Sequence, residues 1–198
     1  EDECNLIREF SHPNIMCSYD IIDLPEYKCI IMPLARGGDL FEFINNRDKL
    51  SEDVACKIMY SCLKALNYLH SLGIWHRDIK PENFLLLDED DHNPDVRLAD
   101  FGFSRRFAPG ETSTNQLGTP LYAAPEVYEG KPYNEKVDML SIGVVMYILL
   151  SKEAPFPVEN THAQREAIIN GDYGFDSEAF EDVSEEAQDL IKNLIEVD

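Results

Sequence analysis

The chain carries His76-Arg77-Asp78-Ile79-Lys80-Pro81-Glu82-Asn83, and this stretch decides the reading of the rest. It places a carboxylate, a cation and an amide in one short loop. Downstream come Asp100-Phe101-Gly102, then Gly118-Thr119-Pro120, then Ala124-Pro125-Glu126. Each motif alone is weak, because an aspartate in a loop is usually a turn former. Four in this order are not a coincidence of composition.

The periodicities around the loop are mixed. Ser51 is a good N-cap, with Glu52 and Asp53 in the first turn. Val54, Ile58, Cys62, Leu66 and Leu69 then recur at helical spacing, and Gly73 ends that helix. Residues 1–10 read as the end of an earlier helix, stopped by Ser11-His12-Pro13-Asn14. Two strand-like runs follow, Ile15 to Ile22 and Tyr27 to Leu34, with a joint at Gly37-Gly38. Phe84–Leu87 and Val96–Ala99 read as short strands around an acidic loop, Asp88 to Asp95. That loop lacks the glycine and terminal glutamate of a calcium-binding EF-hand. Residues 103–120 read as a polar loop. Helices are expected at about Val137–Leu150, Thr161–Ile169 and Ser184–Ile195. Few strands followed by many helices predict an α+β fold.

Composition sets the bounds. With 198 residues, 44% of them hydrophobic, the chain can bury a real core. A formal net charge of −21 argues against nucleic acid and anionic membranes as partners and suits basic ones. No segment reads as a signal peptide, and Leu140–Leu150 is too short to span a bilayer. The five cysteines, Cys4, Cys17, Cys29, Cys56 and Cys62, form no C-x-x-C pair. They read as reduced, buried thiols of a cytoplasmic protein, with the nucleus as the other compartment that fits.

The four motifs together resemble the catalytic half of a eukaryotic protein kinase, and the resemblance runs along essentially the whole chain. It implies residues 1–35 as a partial N-lobe and hinge, the end of helix C and two strands. Residues 36–198 would be a mainly helical C-lobe, stopping before its last helices. It implies ATP and Mg2+ as cofactors. Asp78 would accept the proton of the acceptor hydroxyl, or at least aim it, Lys80 would neutralise the moving phosphoryl group, and Thr119 would count among the catalytic residues. Asn83 and Asp100 would hold magnesium. Glu3 takes the position of the helix-C glutamate, Met32 that of the gatekeeper, and Pro33 and Ala35 those of the hinge groups. Leu85 would pack under adenine. His76, Phe101 and Ile7 match an apolar stack whose fourth position is Ser18, where the family prefers an apolar side chain. Asp138 resembles a buried aspartate that anchors the catalytic loop, against the alternative of an ordinary helix cap.

The resemblance implies more about partners. Asp39, placed beside the nucleotide, and Glu82 match acids that bind an arginine upstream of the phosphoacceptor. Protein substrates with basic residues are therefore expected. Lys80 and Thr119 point to serine/threonine specificity. Gly37-Gly38-Asp39-Leu40-Phe41 and the run from Gly171 to Ala187 are similar to the calcium/calmodulin-dependent and calcium-dependent kinases. Calcium-linked regulation would lie outside this chain. Arg77 would pair with a phosphorylated activation-loop residue; the usual position of that residue is Asn115 here, with Thr112, Ser113 and Thr114 as the nearby hydroxyls, or the loop is ordered without phosphate. The glycine-rich loop, the lysine partner of Glu3 and the arginine partner of Glu126 are not in this sequence. The isolated chain is on that ground expected to be inactive. The alternatives are a kinase-like scaffold and, more weakly, a small-molecule phosphotransferase.

Overall fold

Helical spacing and good caps build most of the molecule, and short hairpins hold its functional loops. The computed structural model describes residues 3–197. Helix α1 (Glu3–Glu9) is followed by the antiparallel pair β1 (Asp20–Asp23) and β2 (Lys28–Ile31). The strands are shorter than the sequence predicts. The run from Ile15 fails as a strand of that hairpin because its first residues belong to another neighbour. Ile15 bridges Leu98, and the Met16 amide donates to the Leu98 carbonyl at 2.8 Å.

After the glycine joint comes a helix the periodicity does not announce, α2 (Leu40–Asn45), capped by the Asp39 carboxylate. Helix α3 (Glu52–Ser71) follows. The Ser51 hydroxyl accepts from the Val54 amide, and Gly73 adopts φ +70 just past the end. Its apolar spacing is borne out: Val54, Ile58, Cys62, Leu66 and Leu69 are all buried. Burial pushes the Cys62 thiol pKa up. The expectation of five buried thiols is corrected, since Cys17 and Cys29 are half-buried and Cys56 is exposed.

The loops of interest hang from three small pairings. Strand β3 (Ile74–Trp75) pairs antiparallel with β6 (Arg105–Arg106). Strands β4 (Phe84–Leu86) and β5 (Val96–Leu98) form a hairpin in which Phe84 faces Leu98. The third pairing, a bridge from Asp39 to Leu85, ties the joint to that hairpin. Helices α4 (Pro125–Glu129), α5 (Lys136–Ser151), α6 (Thr161–Asn170) and α7 (Glu185–Leu194) complete the chain. Helix α5 is apolar all round and buried, as expected of a central helix. At Gly143 an added Cβ would lie 2.7 Å from Ile195 Cγ1 and 2.8 Å from Leu194 Cβ, so only glycine lets α7 seat here. Ser184 caps α7 and also donates its hydroxyl to Glu52 at 2.6 Å, joining the two ends of the helical portion. Among the described residues, no helix is long and apolar enough to cross a membrane.

Candidate active site

The β4–β5 register places the two candidate metal ligands together. Asn83 precedes β4 and Asp100 lies just beyond β5, so pairing of Phe84 with Leu98 aligns them. The Ala99 amide donates to the Asn83 carbonyl at 2.8 Å. The Asn83 side chain, buried, donates its Nδ2 to the Asp78 carbonyl at 2.8 Å and to Asp78 Oδ2 at 3.3 Å. Its Oδ1 is thereby left as the acceptor end. Asp100 is exposed, with Oδ1 accepting from the Gly102 amide at 3.2 Å. One carboxylate and one amide oxygen fit magnesium, a hard cation that takes few protein ligands and completes its shell with water and phosphate. Among the described residues no cluster of three acidic, histidine or cysteine side chains could hold a metal alone. A site shared with a nucleotide does not require one.

The acid–base groups form a closed network. Thr119 Oγ1 donates to Asp78 Oδ1 at 2.7 Å and accepts from Lys80 Nζ at 3.0 Å. Lys80 Nζ also lies 3.0 Å from Asp78 Oδ2. Burial alone would raise the Asp78 carboxyl. The hydrogen bonds from Thr119 and Lys80, with the Lys80 charge, outweigh it and hold the group below its usual range. Gly118, at φ +97, lets this segment approach: an added Cβ would lie 2.6 Å from the Arg77 carbonyl.

The loop backbone is held by Asp138, which is fully buried in the first turn of α5. Its Oδ2 accepts from the His76 amide and from His70 Nε2, both at 2.9 Å. Its Oδ1 accepts from the Arg77 amide at 2.8 Å. Asp138 makes no cap to its own helix, so the anchoring arrangement is the one observed. Burial would raise its carboxyl, but the hydrogen bond and charge of His70 and the proximity of His76 bring it below the usual range. His76 Nε2 donates to the Ala99 carbonyl at 3.1 Å, and its Nδ1 accepts from the Asp78 amide at 3.3 Å. That pattern needs a neutral ring with the proton on Nε2, and burial lowers the His76 pKa accordingly. The loop is thus clamped with Arg77 at φ +65 and Asp100 at φ +57, a region that non-glycine residues seldom occupy.

Of the stack positions, the His76 ring meets Phe101 edge-on at 5.5 Å, and Ile7 is buried. Sequence reasoning missed Phe10, whose ring lies 4.7 Å from Phe101. Ser18 is half-buried. Glu3 Oε1 accepts from the Phe101 amide at 3.2 Å, which brings α1 to the Asp100-Phe101-Gly102 turn. On the hinge side, Met32 is exposed and Pro33 and Ala35 are half-buried. Among the described residues, neither the Pro33 carbonyl nor the Ala35 amide has a hydrogen-bond partner. Leu85 is half-buried and bridged to Asp39. Asp39 Oδ1 accepts from the Glu42 amide at 2.9 Å, so this side chain caps α2. Glu82 is exposed in the same turn as Asn83.

Arg77 does not reach Asn115. Its Nε and Nη2 donate to the Phe103 carbonyl at 2.9 and 2.6 Å, while Nη1 is buried without a partner. The activation loop is ordered by its own groups. Ser113 bridges Tyr133, the Tyr133 hydroxyl donates to the Asn115 carbonyl at 2.7 Å, and Arg105 pairs with Glu111 at 3.3 Å.

Comparison with known proteins agrees with this geometry. The sequence matches the protein kinase domain family over residues 1–198. It is 38% identical to a probable myosin light chain kinase of Dictyostelium discoideum, over 98% of this chain and 49% of that protein. It is 40% identical to calcium/calmodulin-dependent protein kinase type 1B of Rattus norvegicus and of Homo sapiens, over 100% of this chain and 57% of each. The chain therefore spans about half the length of the curated relatives it matches. The chain belongs to the protein kinase family, and within it is similar to kinases of the calcium/calmodulin-dependent group.

Proposed function

We propose that the protein transfers the γ-phosphoryl group of ATP to serine or threonine hydroxyls of protein substrates, preferring a basic residue upstream. The observation that carries this reading is the Asp78–Thr119–Lys80 network, with Asn83 and Asp100 brought to its edge. Phosphoryl transfer needs positioning and countercharge more than covalent work. Asp78 is ionised at neutral pH and a weak base, so its first task is to orient the acceptor hydroxyl. That proton becomes acidic only as the oxygen bonds to phosphorus and the bond to the ADP oxygen breaks, so it reaches Asp78 late. Lys80, already beside Asp78, supplies positive charge to the group in transit. Asn83 Oδ1 and Asp100 would hold magnesium, which screens the phosphate charge.

The unpartnered Pro33 carbonyl and Ala35 amide suit an adenine edge, with Met32 and Leu85 against its faces and Glu3 at the far end of the cleft. Asp39 and Glu82, with a formal net charge of −21 behind them, suit a basic peptide. Calcium-linked regulation rests on the names of the relatives alone.

The test is magnesium-dependent phosphorylation of a basic serine peptide by the purified full-length protein. Asp78→Asn keeps the shape and removes the charge, and should lower kcat by about 10²–10⁴-fold. Its unfolding midpoint should stay close to wild type. Wild-type turnover by this variant, purified free of other kinases, would refute the assignment. An inactive wild type that still binds its partners would favour a scaffold.

A further inference from the structure

The segment Gly118–Glu126, which on the kinase reading lies along the peptide substrate, is pinned at several points. Thr119 is held by Asp78 and Lys80, and the Tyr122 carbonyl accepts from the Ser141 hydroxyl at 2.7 Å. A further pin comes from Tyr128, in α4. Its hydroxyl donates at 2.6 Å to the carbonyl of Pro120, the residue after Thr119. The Tyr128 carbonyl in turn accepts from Gln116 Nε2 at 3.0 Å and from Arg165 Nη2, on α6, at 3.2 Å. The Arg165 guanidinium lies 6.0 Å from the centre of the Tyr128 ring. One tyrosine thus joins the segment before Gly118, the segment after it and helix α6.

We infer that Tyr128 and Arg165 form a brace that sets peptide affinity by fixing the Pro120 carbonyl. The inference rests on the kinase reading above. Tyr128 touches no reacting group, so it is a positioning residue. The Pro120 carbonyl also accepts from the Ala123 amide at 3.1 Å. Loss of the tyrosine hydroxyl therefore leaves no buried acceptor unpaired, and the fold loses little. What is lost is the second restraint on a peptide unit that the substrate must lie against.

Tyr128→Phe in the full-length protein is expected to raise KM for a basic serine peptide about fivefold, the weight of one ordinary hydrogen bond. KM for ATP should be unchanged, and kcat should change less than twofold. Arg165→Ala should raise peptide KM in the same direction and by less. A KM for ATP that rises in step with peptide KM would mean general loosening and would overturn the brace. An active wild type whose peptide KM is unmoved by Tyr128→Phe overturns this inference alone. A wild type that phosphorylates no peptide overturns the kinase reading and the brace with it.

Discussion

The catalytic loop and the hinge segment are built in opposite ways. His76, Asp78, Asn83 and Asp138 are buried, and each makes several hydrogen bonds to the others or to nearby backbone. On the hinge side, Met32, Leu34 and Ile31 are exposed, and the Pro33 carbonyl and Ala35 amide have no hydrogen-bond partner among the described residues. Groups that must hold a geometry through a reaction are over-determined. Groups that would accept and release a planar ligand under the proposed function are left open. The contrast predicts that substitutions on the two sides differ by several kcal/mol in their effect on the fold.

The largest effect should come from Asp138→Ala. It leaves the His76 and Arg77 amides and the His70 ring without their acceptor in a dry site. Losing one member of a buried polar cluster costs about 3–5 kcal/mol. Chemical denaturation should register that loss, with activity lost as well. A midpoint within 1 kcal/mol of wild type would mean that the loop holds its positive-φ backbone without the anchor. Gly118→Ala should come next, at about 1–3 kcal/mol, because a left-handed backbone and the Arg77 carbonyl both oppose a Cβ. Its kcat should fall further than its stability, since Thr119 moves with it.

Acid should act on the clamped side first. His76 faces Asp138, Asp78 and Asp100, yet burial keeps its pKa below the ordinary 6.5. Below that pH the unfolded chain takes up a proton that the folded chain refuses, so stability falls as pH drops towards the folded value. Asp78 and Asp138, lowered from 3.8, give up their contribution only in stronger acid. The melting temperature should therefore decline as the pH drops below about 6.5. His76→Phe should flatten that decline, although His12, also lowered, leaves a smaller slope. An unchanged slope would remove His76 from the account.

The clamped side was also the legible side. Its loop needs fixed residue types at fixed spacing, so Asp78, Lys80, Asn83 and Asp100 stand out of the sequence. Helix α3 was legible through its period, and the same period marks Cys56 as exposed, two positions off the buried face of Val54. Helix α2 was not, because it is short and its cap, Asp39, reads equally well as a ligand. Strands β3 and β6 are two residues each, too short for an alternation to show. Tyr128 had no signal at all. Its role comes from a carbonyl and from an arginine far along the chain, and neither leaves a pattern in a single sequence.

The smallest effect belongs to the open side. Leu34 is 78% exposed, between two hinge groups that have no hydrogen-bond partner among the described residues. Leu34→Ser removes little buried area, so stability should stay within about 0.5 kcal/mol of wild type. The acid slope and the Asp78 network should also be untouched, since nothing joins Leu34 to them. A loss above 1 kcal/mol would show that the hinge is held by apolar contacts after all. The two segments would then differ in the chemistry of their restraint and not in its extent.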